Sequence, residues 1–374
     1  MMQNLTNFDL VVFDMEDALV DRSDALGSAV SRAVDAYLTM IVGLRPEGGP
    51  VYSIPQVSEF VSRQQFEEPP DVFHALLAFA AHVLPIDLRE DDFRDYDGRD
   101  LLDAVKNSGK VNISLGELSK LCNVQEFSKI LRAKGGAIKG LNRQRSLKNQ
   151  WLVLAEGHIM MDNLVKRIFA EVYLENELFL KEYGVERRYI TDKACIRREK
   201  GYIDPQDFEM IRRQCPVAVV TSRDQSEAQW VLNNIGIARS VDVVVSADAM
   251  GMGMADPEEV VWIRSLGVGG AEAADYSTRV ADAIERTRAQ EALETVLRIG
   301  WVGDCSVEGR NLASLKERYG MTLIGIAFGD DPKISAALKD KGADIVVSDV
   351  DSMVKAITER SGRSRRPMRQ QYPD

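Results

Sequence analysis

Three carboxylates follow a short apolar run near the start of the chain, in the sequence L-V-V-F-D-M-E-D-A-L of residues 10–19. The stretch from Val11 to Phe13 is typical of a strand buried inside a sheet, and Asp14 is predicted to be the first residue to leave it. Ligands bind at the carboxyl ends of strands in open α/β sheets. Asp14 and Glu16 are therefore predicted to lie at the edge of the sheet where ligands bind. A strand that simply ends in solvated acidic residues has the same pattern.

Two more strands are predicted later in the chain, with a helix between them. Pro216–Thr221 is apolar and ends in a hydroxyl residue, and Arg223 follows immediately before a helix that opens at Asp224. The helical pattern 227–237 then leads to a third strand at 241–246. This alternation of strand and helix is typical of a parallel sheet with crossover helices.

A fourth strand is predicted at 299–302, and it ends in Gly303-Asp304 with Glu308 four residues further on. Carboxylate oxygens are hard ligands of the kind that Mg²⁺ prefers. An alternative role for Asp304 is to cap a helix that begins near Ser306, and both roles are compatible.

The stretch D-M-E-D-A-L-V-D from Asp14 to Asp21 resembles the nucleophile motif of the haloacid dehalogenase superfamily, D-x-D-G-T-L or D-x-D-G-V-L followed by V-D. The resemblance implies that Asp14 attacks a phosphoryl group and that Glu16 protonates the leaving oxygen. It also implies that Thr221 donates to the phosphoryl oxygens. The G-D-x-x-x-E at 303–308 resembles the family's metal motif, so that Asp304 is expected as a direct Mg²⁺ ligand, with Asp14 and the carbonyl of Glu16, and Glu308 as a direct or outer ligand.

The chain departs from the family pattern at several positions. Glu16 is one methylene longer than the expected Asp, and Asp17 and Ala18 replace the Gly and the hydroxyl residue. Met254 occupies the place of the family's Lys, and no Lys occurs between Lys200 and Lys316. The cations that remain available are Arg223, Arg264 and Arg298, of which Arg223 is best placed because it follows Thr221. Arginine is not an equivalent replacement for a compact ammonium group, so a slow or retired enzyme is indicated.

The segment 21–201 shows helical periodicity and almost no alternating strand pattern, as in the stretches that begin at Ala25 and Asp71. The expected fold is therefore a Rossmann-like, doubly wound parallel α/β core of residues 1–20 and 202–360, with an inserted helical cap domain of residues 21–201. By resemblance, the Asp14 strand is central, flanked by the Thr221 and Asp304 strands, and the cap closes over the site. Two cap stretches resemble the phosphoglycolate-phosphatase-like branch of the superfamily.

Two segments have little periodicity. Residues 109–150 are rich in Lys, Arg, Gly and Asn, and their composition favours a solvated linker over a phosphate-attracting lip. Residues 361–374 are predicted to be a disordered basic tail.

Composition narrows the function classes. The formal charge of −11 over 374 residues argues against a nucleic-acid or anionic-membrane binder, and no signal peptide or membrane-length apolar run is evident. Four scattered cysteines without a C-x-x-C pair are expected to be reduced thiols of a cytoplasmic protein. The three histidines fall in helical patterns away from the strand ends, which disfavours a catalytic triad.

Two hypotheses remain open. The first is a Mg²⁺-dependent phosphomonoester hydrolase that acts on a small phosphorylated metabolite through an aspartyl-phosphate on Asp14. The second is a catalytically degenerate relative that keeps the fold for a binding or structural role. Asp14, Thr221 and Asp304 favour the first, whereas Glu16, Asp17, Ala18 and Met254 favour the second. The residues do not specify the substrate or the oligomeric state.

Overall fold

The computed structural model describes residues 8–358, apart from the segments 64–65, 67–68, 87–88, 94, 97, 134, 137–146, 160–161, 248–271, 292, 294–297, 304–312, 328–331 and 341. Within it, the chain divides into two units. The first, called here the sheet unit, has residues 8–21, 200–247 and 272–358 as its main described parts. The second, called here the helical unit, is the insertion Arg22–Glu199.

A six-stranded parallel sheet forms the centre of the sheet unit, in the order β5-β4-β1-β6-β7-β8. Its strands are short runs of apolar residues, most of them buried, as is usual for parallel sheets covered on both faces. The Asp14 strand lies between the Thr221 strand and the strand that precedes Asp304, so the predicted central order is confirmed. The strands are β1 (Leu10–Asp14), β4 (Val217–Val220), β5 (Val243–Val245), β6 (Ile299–Gly303), β7 (Thr322–Ile326) and β8 (Ile345–Val347).

The register of the sheet sets which residues meet at its carboxyl edge. Asp14 pairs with Val220 on β4, so Thr221 is the next residue past the partner of Asp14. On the other side, Phe13 pairs with Val302 on β6, which brings Gly303 beside Asp14. The helices of this unit, numbered after those of the helical unit, are α9 (Pro205–Arg212), α10 (Gln225–Asn234), α11 (Glu272–Gln290), α12 (Ala313–Tyr319), α13 (Pro332–Asp340) and α14 (Val350–Thr358).

A π-helical turn, Met15–Leu19, connects β1 to a short strand β2 (Val20–Asp21). β2 pairs antiparallel with β3 (Lys200–Gly201), and the Tyr202 amide donates to the carbonyl of Leu19. The insertion therefore begins and ends at one two-stranded ladder, which keeps its two chain ends together.

The helical unit has no strand among its described residues apart from one isolated bridge, between Arg45 and Ser114. Its packed interior includes three nearly parallel rings, with Phe127 stacked on Phe79 at 4.4 Å and on Phe60 at 5.6 Å between centroids. Buried aromatic surface of this kind stabilises a helical core. The helices are α1 (Ser23–Ala36), α2 (Ile54–Arg63), α3 (Pro69–Val83), α4 (Gly98–Asn107), α5 (Leu115–Ser119), α6 (Val124–Ala133), α7 (Leu164–Tyr173) and α8 (Asn176–Tyr183).

The segment Ser23–Val42, which joins α1 to a π-helical turn (Tyr37–Val42), is long and apolar enough to cross a membrane by length and composition alone. This differs from the sequence expectation that no such run exists. However, 67% of its most apolar window is buried inside the protein. The Tyr37 hydroxyl, for example, donates to the carbonyl of Leu152 at 2.9 Å within the helical unit. The segment therefore has the burial of a core helix.

The prediction of a solvated linker at 109–150 is wrong for its first part. Ser114 and Glu117 form a reciprocal capping box that begins α5, and α6 buries Phe127 and Leu131. The capping pattern S-x-x-E was readable in the sequence but was outweighed by the polar composition of the whole segment. Residues 137–146 lie outside the described residues. The expectation that all three histidines are helical is wrong for His158, which lies in the loop before α7.

Candidate active site

Asp14 is fully buried at the carboxyl end of the central strand. Its neighbour on β6 is Gly303, where an added Cβ would lie 2.8 Å from the Cβ of Asp14 and 2.7 Å from the ring of Trp301. Contacts that short do not occur between real side chains, so only glycine lets the two strand ends approach this closely. Steric crowding by Asp14 and Trp301 therefore explains why position 303 is a glycine.

Glu16 lies in the π-helical turn and extends its side chain toward the end of β4. Its Oε1 accepts a hydrogen bond from the Thr221 hydroxyl at 2.5 Å and a second one from Nε of Arg223 at 3.2 Å. The side chains of Glu16 and Arg223 are 6% and 5% exposed, so this is a buried ion pair. The structure thus brings together Glu16, Thr221 and Arg223, three residues singled out in the sequence.

A backbone hydrogen bond also helps to position the side chains of Glu16, Thr221 and Arg223. The amide of Arg223 donates to Oγ1 of Thr221 at 3.1 Å, which orients the hydroxyl proton toward Glu16. On its other side, Nη1 of Arg223 donates to Glu227, one turn along α10, at 3.0 Å. The guanidinium of Arg223 is therefore shared between two carboxylates.

Arg279, on α11, is a buried cation at the same strand end that the sequence analysis did not identify. Its Nη1 donates to the carbonyl of Thr221 at 2.7 Å, and the residue is 5% exposed. The available signal was its spacing, because Arg279, Ala283 and Thr287 are four residues apart and all buried. A charged residue on the buried face of an amphipathic helix needs a partner, and here the partner is the Thr221 backbone.

Among the described residues, two buried carboxylates at this edge, Asp14 and Glu16, face two buried guanidinium groups, Arg223 and Arg279. Glu227 adds a third carboxylate, which is partly exposed. A phosphoryl group brings further negative charge, so its binding requires more positive charge or the departure of one carboxylate.

Several expected site residues cannot be placed. Asp304, Glu308, Met254 and Arg264 lie outside the described residues. Within the described part of the chain, no group of three His, Cys, Asp or Glu residues is arranged to hold a metal. Arg298 does not reach this site: it precedes β6 and pairs with Asp9 at 3.5 Å, at the amino-terminal ends of β6 and β1.

The other titratable groups considered from the sequence do not point to catalysis. Burial raises the pKa of the Cys122 thiol to about 11 and that of Cys215 to about 12, so both thiols are inert. Burial in α3 lowers the pKa of His74 to about 4, which keeps its imidazole neutral at pH 7. Cys122, Cys195 and Cys215 are buried free thiols, as expected.

Comparison with known proteins gives a likeness at the level of structure. No protein-family model and no curated protein matches the sequence. An X-ray structure from the Northeast Structural Genomics Consortium matches at 13% identity and a TM-score of 0.55, over 92% of this chain and 97% of that one. A phosphatase from Thermococcus thioreducens matches at 14% identity and a TM-score of 0.48, over 88% of this chain and 99% of that one. A predicted phosphoglycolate phosphatase from Haemophilus somnus matches at 12% identity and a TM-score of 0.33, over 95% and 99% of the two chains.

Likeness at these identities concerns the fold. Together with the parallel strand order and the helical insertion after β1, the first of these matches supports a Rossmann-like, doubly wound α/β core with an inserted helical unit. The expected fold class is therefore confirmed.

Proposed function

We propose that the protein is a phosphomonoester hydrolase of the haloacid dehalogenase type that acts on a small phosphorylated metabolite. The observation that carries the proposal is the buried carboxylate of Asp14 at the end of the central strand, one register position from Thr221. Ligand sites of open α/β sheets lie at this edge, and fold alone does not specify the chemistry.

In the proposed reaction, a carboxylate oxygen of Asp14 attacks phosphorus while the ester P–O bond breaks. Glu16, released from Thr221 and Arg223 by the bound substrate and protonated from solvent, gives its proton to the departing alcohol oxygen, and the phosphoryl group is left on Asp14 as an acyl phosphate. Water then attacks phosphorus, its proton returns to Glu16, and inorganic phosphate leaves with the Asp14 carboxylate restored. Thr221 and Arg223 bind the non-reacting phosphoryl oxygens, and Arg279 positions the Thr221 backbone.

The donors proposed for Mg²⁺ are all oxygen atoms, namely the carboxylates of Asp14, Asp304 and Glu308 and the carbonyl of Glu16. This set suits a hard cation, and the close approach of Gly303 to Asp14 supports it because Asp304 is the next residue in the chain. Bound Mg²⁺ would supply positive charge to offset the negative charge that the phosphoryl group brings to the Asp14 carboxylate.

A second candidate function, binding without catalysis, is favoured by one observation. Glu16 already accepts hydrogen bonds from both the hydroxyl of Thr221 and the guanidinium of Arg223. A protein that has lost catalysis could keep this arrangement and use the fold for binding. The family's Lys is also replaced by Met254, which removes one cation from the expected set.

Hydrolysis of p-nitrophenyl phosphate with Mg²⁺ separates the two functions. The aryl leaving group needs little protonation, so a misplaced Glu16 matters less for it than for a sugar phosphate. We expect wild-type activity and its loss by at least about 10³-fold in Asp14→Asn, since an amide cannot form the acyl phosphate.

The matched control is Asp9→Asn, the same substitution at the residue immediately before β1, where Asp9 pairs with Arg298. It should retain activity. Equal activity in Asp14→Asn and the wild type would rule out Asp14 as the nucleophile. A folded wild type with no activity, and none gained in the Met254→Lys, Glu16→Asp double variant, would favour the binding function.

A further inference from the structure

The carboxylate of Glu16 is held as a bound anion would be held. Its Oε1 receives a hydroxyl donor from Thr221 at 2.5 Å and a guanidinium donor from Arg223 at 3.2 Å. Hydroxyl and guanidinium groups converging on one oxygen are the donors that proteins use for phosphate and sulfate oxygens. A tethered carboxylate and a free oxyanion would therefore compete for the same donors.

The length of the side chain makes this contact possible. Glu16 belongs to the turn after β1, whereas Thr221 and Arg223 follow β4, so the carboxylate spans the ends of two neighbouring strands. An Asp at the same position is one methylene shorter and would place its oxygen well short of Thr221. The contact is thus a consequence of the particular residue found at position 16.

We propose that Glu16 is a built-in anion that occupies the oxyanion site of Thr221 and Arg223, and that a phosphate-bearing ligand must displace it in order to bind. This rests on the proposed function only in assigning phosphate as the ligand class. Occupation by Glu16 lowers the apparent affinity for phosphate by the fraction of molecules in which the site is open. Additional binding contacts of a substrate offset the cost of the displacement more fully than inorganic phosphate alone can.

Phosphate affinity of the full chain, measured by isothermal titration calorimetry with inorganic phosphate, tests the proposal without any need for turnover. Glu16→Gln keeps the side-chain size but removes the charge, and Glu16→Asp keeps the charge but shortens the reach. We expect both variants to bind phosphate about tenfold or more tightly than the wild type. Two independent variants cover the case in which one of them fails to fold.

Glu227→Gln is the matched control because Glu227 is the other carboxylate on the same guanidinium, at 3.0 Å. It changes the local charge by the same amount and removes a contact of Arg223, while the contact between Glu16 and the Thr221 hydroxyl stays in place. We expect less than a threefold gain in this variant. Adding Arg223→Gln to Glu16→Gln should abolish the gain, which locates the phosphate at this cluster.

The proposal is overturned if neither Glu16 variant binds phosphate more tightly than the wild type, or if Glu227→Gln gains as much as Glu16→Gln. These outcomes are separate from the proposed hydrolase activity. An inactive protein in which both Glu16 variants gain affinity supports the built-in anion and contradicts the hydrolase. An active protein whose phosphate affinity is insensitive to residue 16 does the reverse.

Discussion

The two units of the protein each contain a buried pair of glutamate and arginine, and the two pairs are built differently. In the helical unit, Glu171 is fully buried, pairs with Arg167 at 2.9 Å one turn away on α7, and accepts backbone amides from Arg188, Tyr189 and Ile190. In the sheet unit, Glu16 pairs with Arg223, which is 207 positions further along the chain.

The difference separates a structural carboxylate from a displaceable one. Glu171 Oε2 alone accepts hydrogen bonds from three consecutive backbone amides, so Glu171 holds the 188–190 loop against α7. A free anion would have to break all three of these bonds to take the place of the Glu171 carboxylate. Glu16 instead receives side-chain donors at an edge of the sheet where ligands bind. A buried ion pair by itself therefore does not identify a functional site; the nature and position of its donors do.

The largest effect on stability is expected for Glu171→Gln. The substitution leaves the Arg167 guanidinium buried without its carboxylate and weakens the three amide contacts, at a cost of about 3 kcal/mol in the free energy of unfolding. Glu16→Gln should cost about 1 kcal/mol, because Arg223 keeps its contact with Glu227. Urea denaturation measures the free energy of unfolding of each variant. Hydrogen exchange of the backbone amides of residues 188–190 should accelerate only in Glu171→Gln. Equal costs would break the distinction between the two pairs.

Mg²⁺ should stabilise the sheet unit of the wild type. At a concentration of about 100 times its Kd, a ligand specific for the folded state adds about 2.7 kcal/mol, which is a rise of several degrees in melting temperature. Asp14→Asn should lose most of this rise, whereas Glu171→Gln, though less stable, should keep it. An unchanged melting temperature across a millimolar Mg²⁺ titration of the folded wild type would argue against a working metal site.

Arg279→Gln tests the positioning of Thr221. Loss of the 2.7 Å contact to the Thr221 carbonyl should weaken binding of the phosphoryl group, raising KM about tenfold with a smaller change in kcat. Lys at this position keeps the charge and should restore part of the affinity, which a purely structural role would not require. An unaltered KM in a folded Arg279→Gln variant would show that the residue does not act on the site.

The smallest effect expected in the wild type concerns pH, because two contributions from the helical unit have opposite signs. The pKa of His74 is lowered by burial from 6.5 to about 4, so the unfolded state binds more protons between these values and His74 makes stability rise with pH there. The pKa of Asp35 is raised by burial from 3.8 to about 6, so the folded state binds more protons and stability falls as pH rises through that window. The two contributions therefore oppose each other between pH 4 and pH 6.

Single substitutions should expose each contribution. Relative to the wild type, His74→Leu should lower the slope of stability against pH between pH 4 and pH 6, and Asp35→Asn should raise it, each by at most about 1.4 kcal/mol per pH unit. Urea denaturation at several pH values measures both slopes. Identical slopes in the two variants would show that these groups do not titrate as their burial indicates.

The sequence was sufficient for the parts of the fold that depend on local pattern. Buried apolar runs located β1, β4, β5 and β6 to within a few residues, and the order of their ends placed Asp14 next to Thr221. The helix cap at Ser114 was readable but was masked by the polar composition around it. Arg279 is recognisable only as a charge at the buried spacing of its helix, in line with Ala283 and Thr287, and an apolar pattern alone does not predict it.

The contact between Glu16 and Arg223 could not have been predicted in the same way. It depends on strand register, on the π-helical turn after β1 and on the reach of one additional methylene, and no local pattern encodes those together. The metal ligands proposed at Asp304 and Glu308, both outside the described residues, stay a prediction from sequence.

The most direct test of the account is to trap the acyl phosphate on Asp14. Wild-type protein mixed with ³²P-labelled aryl phosphate and Mg²⁺, and quenched in acid during turnover, should carry a label that hydroxylamine removes and that peptide mapping assigns to Asp14. Asp14→Asn should carry none, and Asp9→Asn should be labelled like the wild type. Turnover without a label on Asp14, or a hydroxylamine-resistant label elsewhere, would contradict the account.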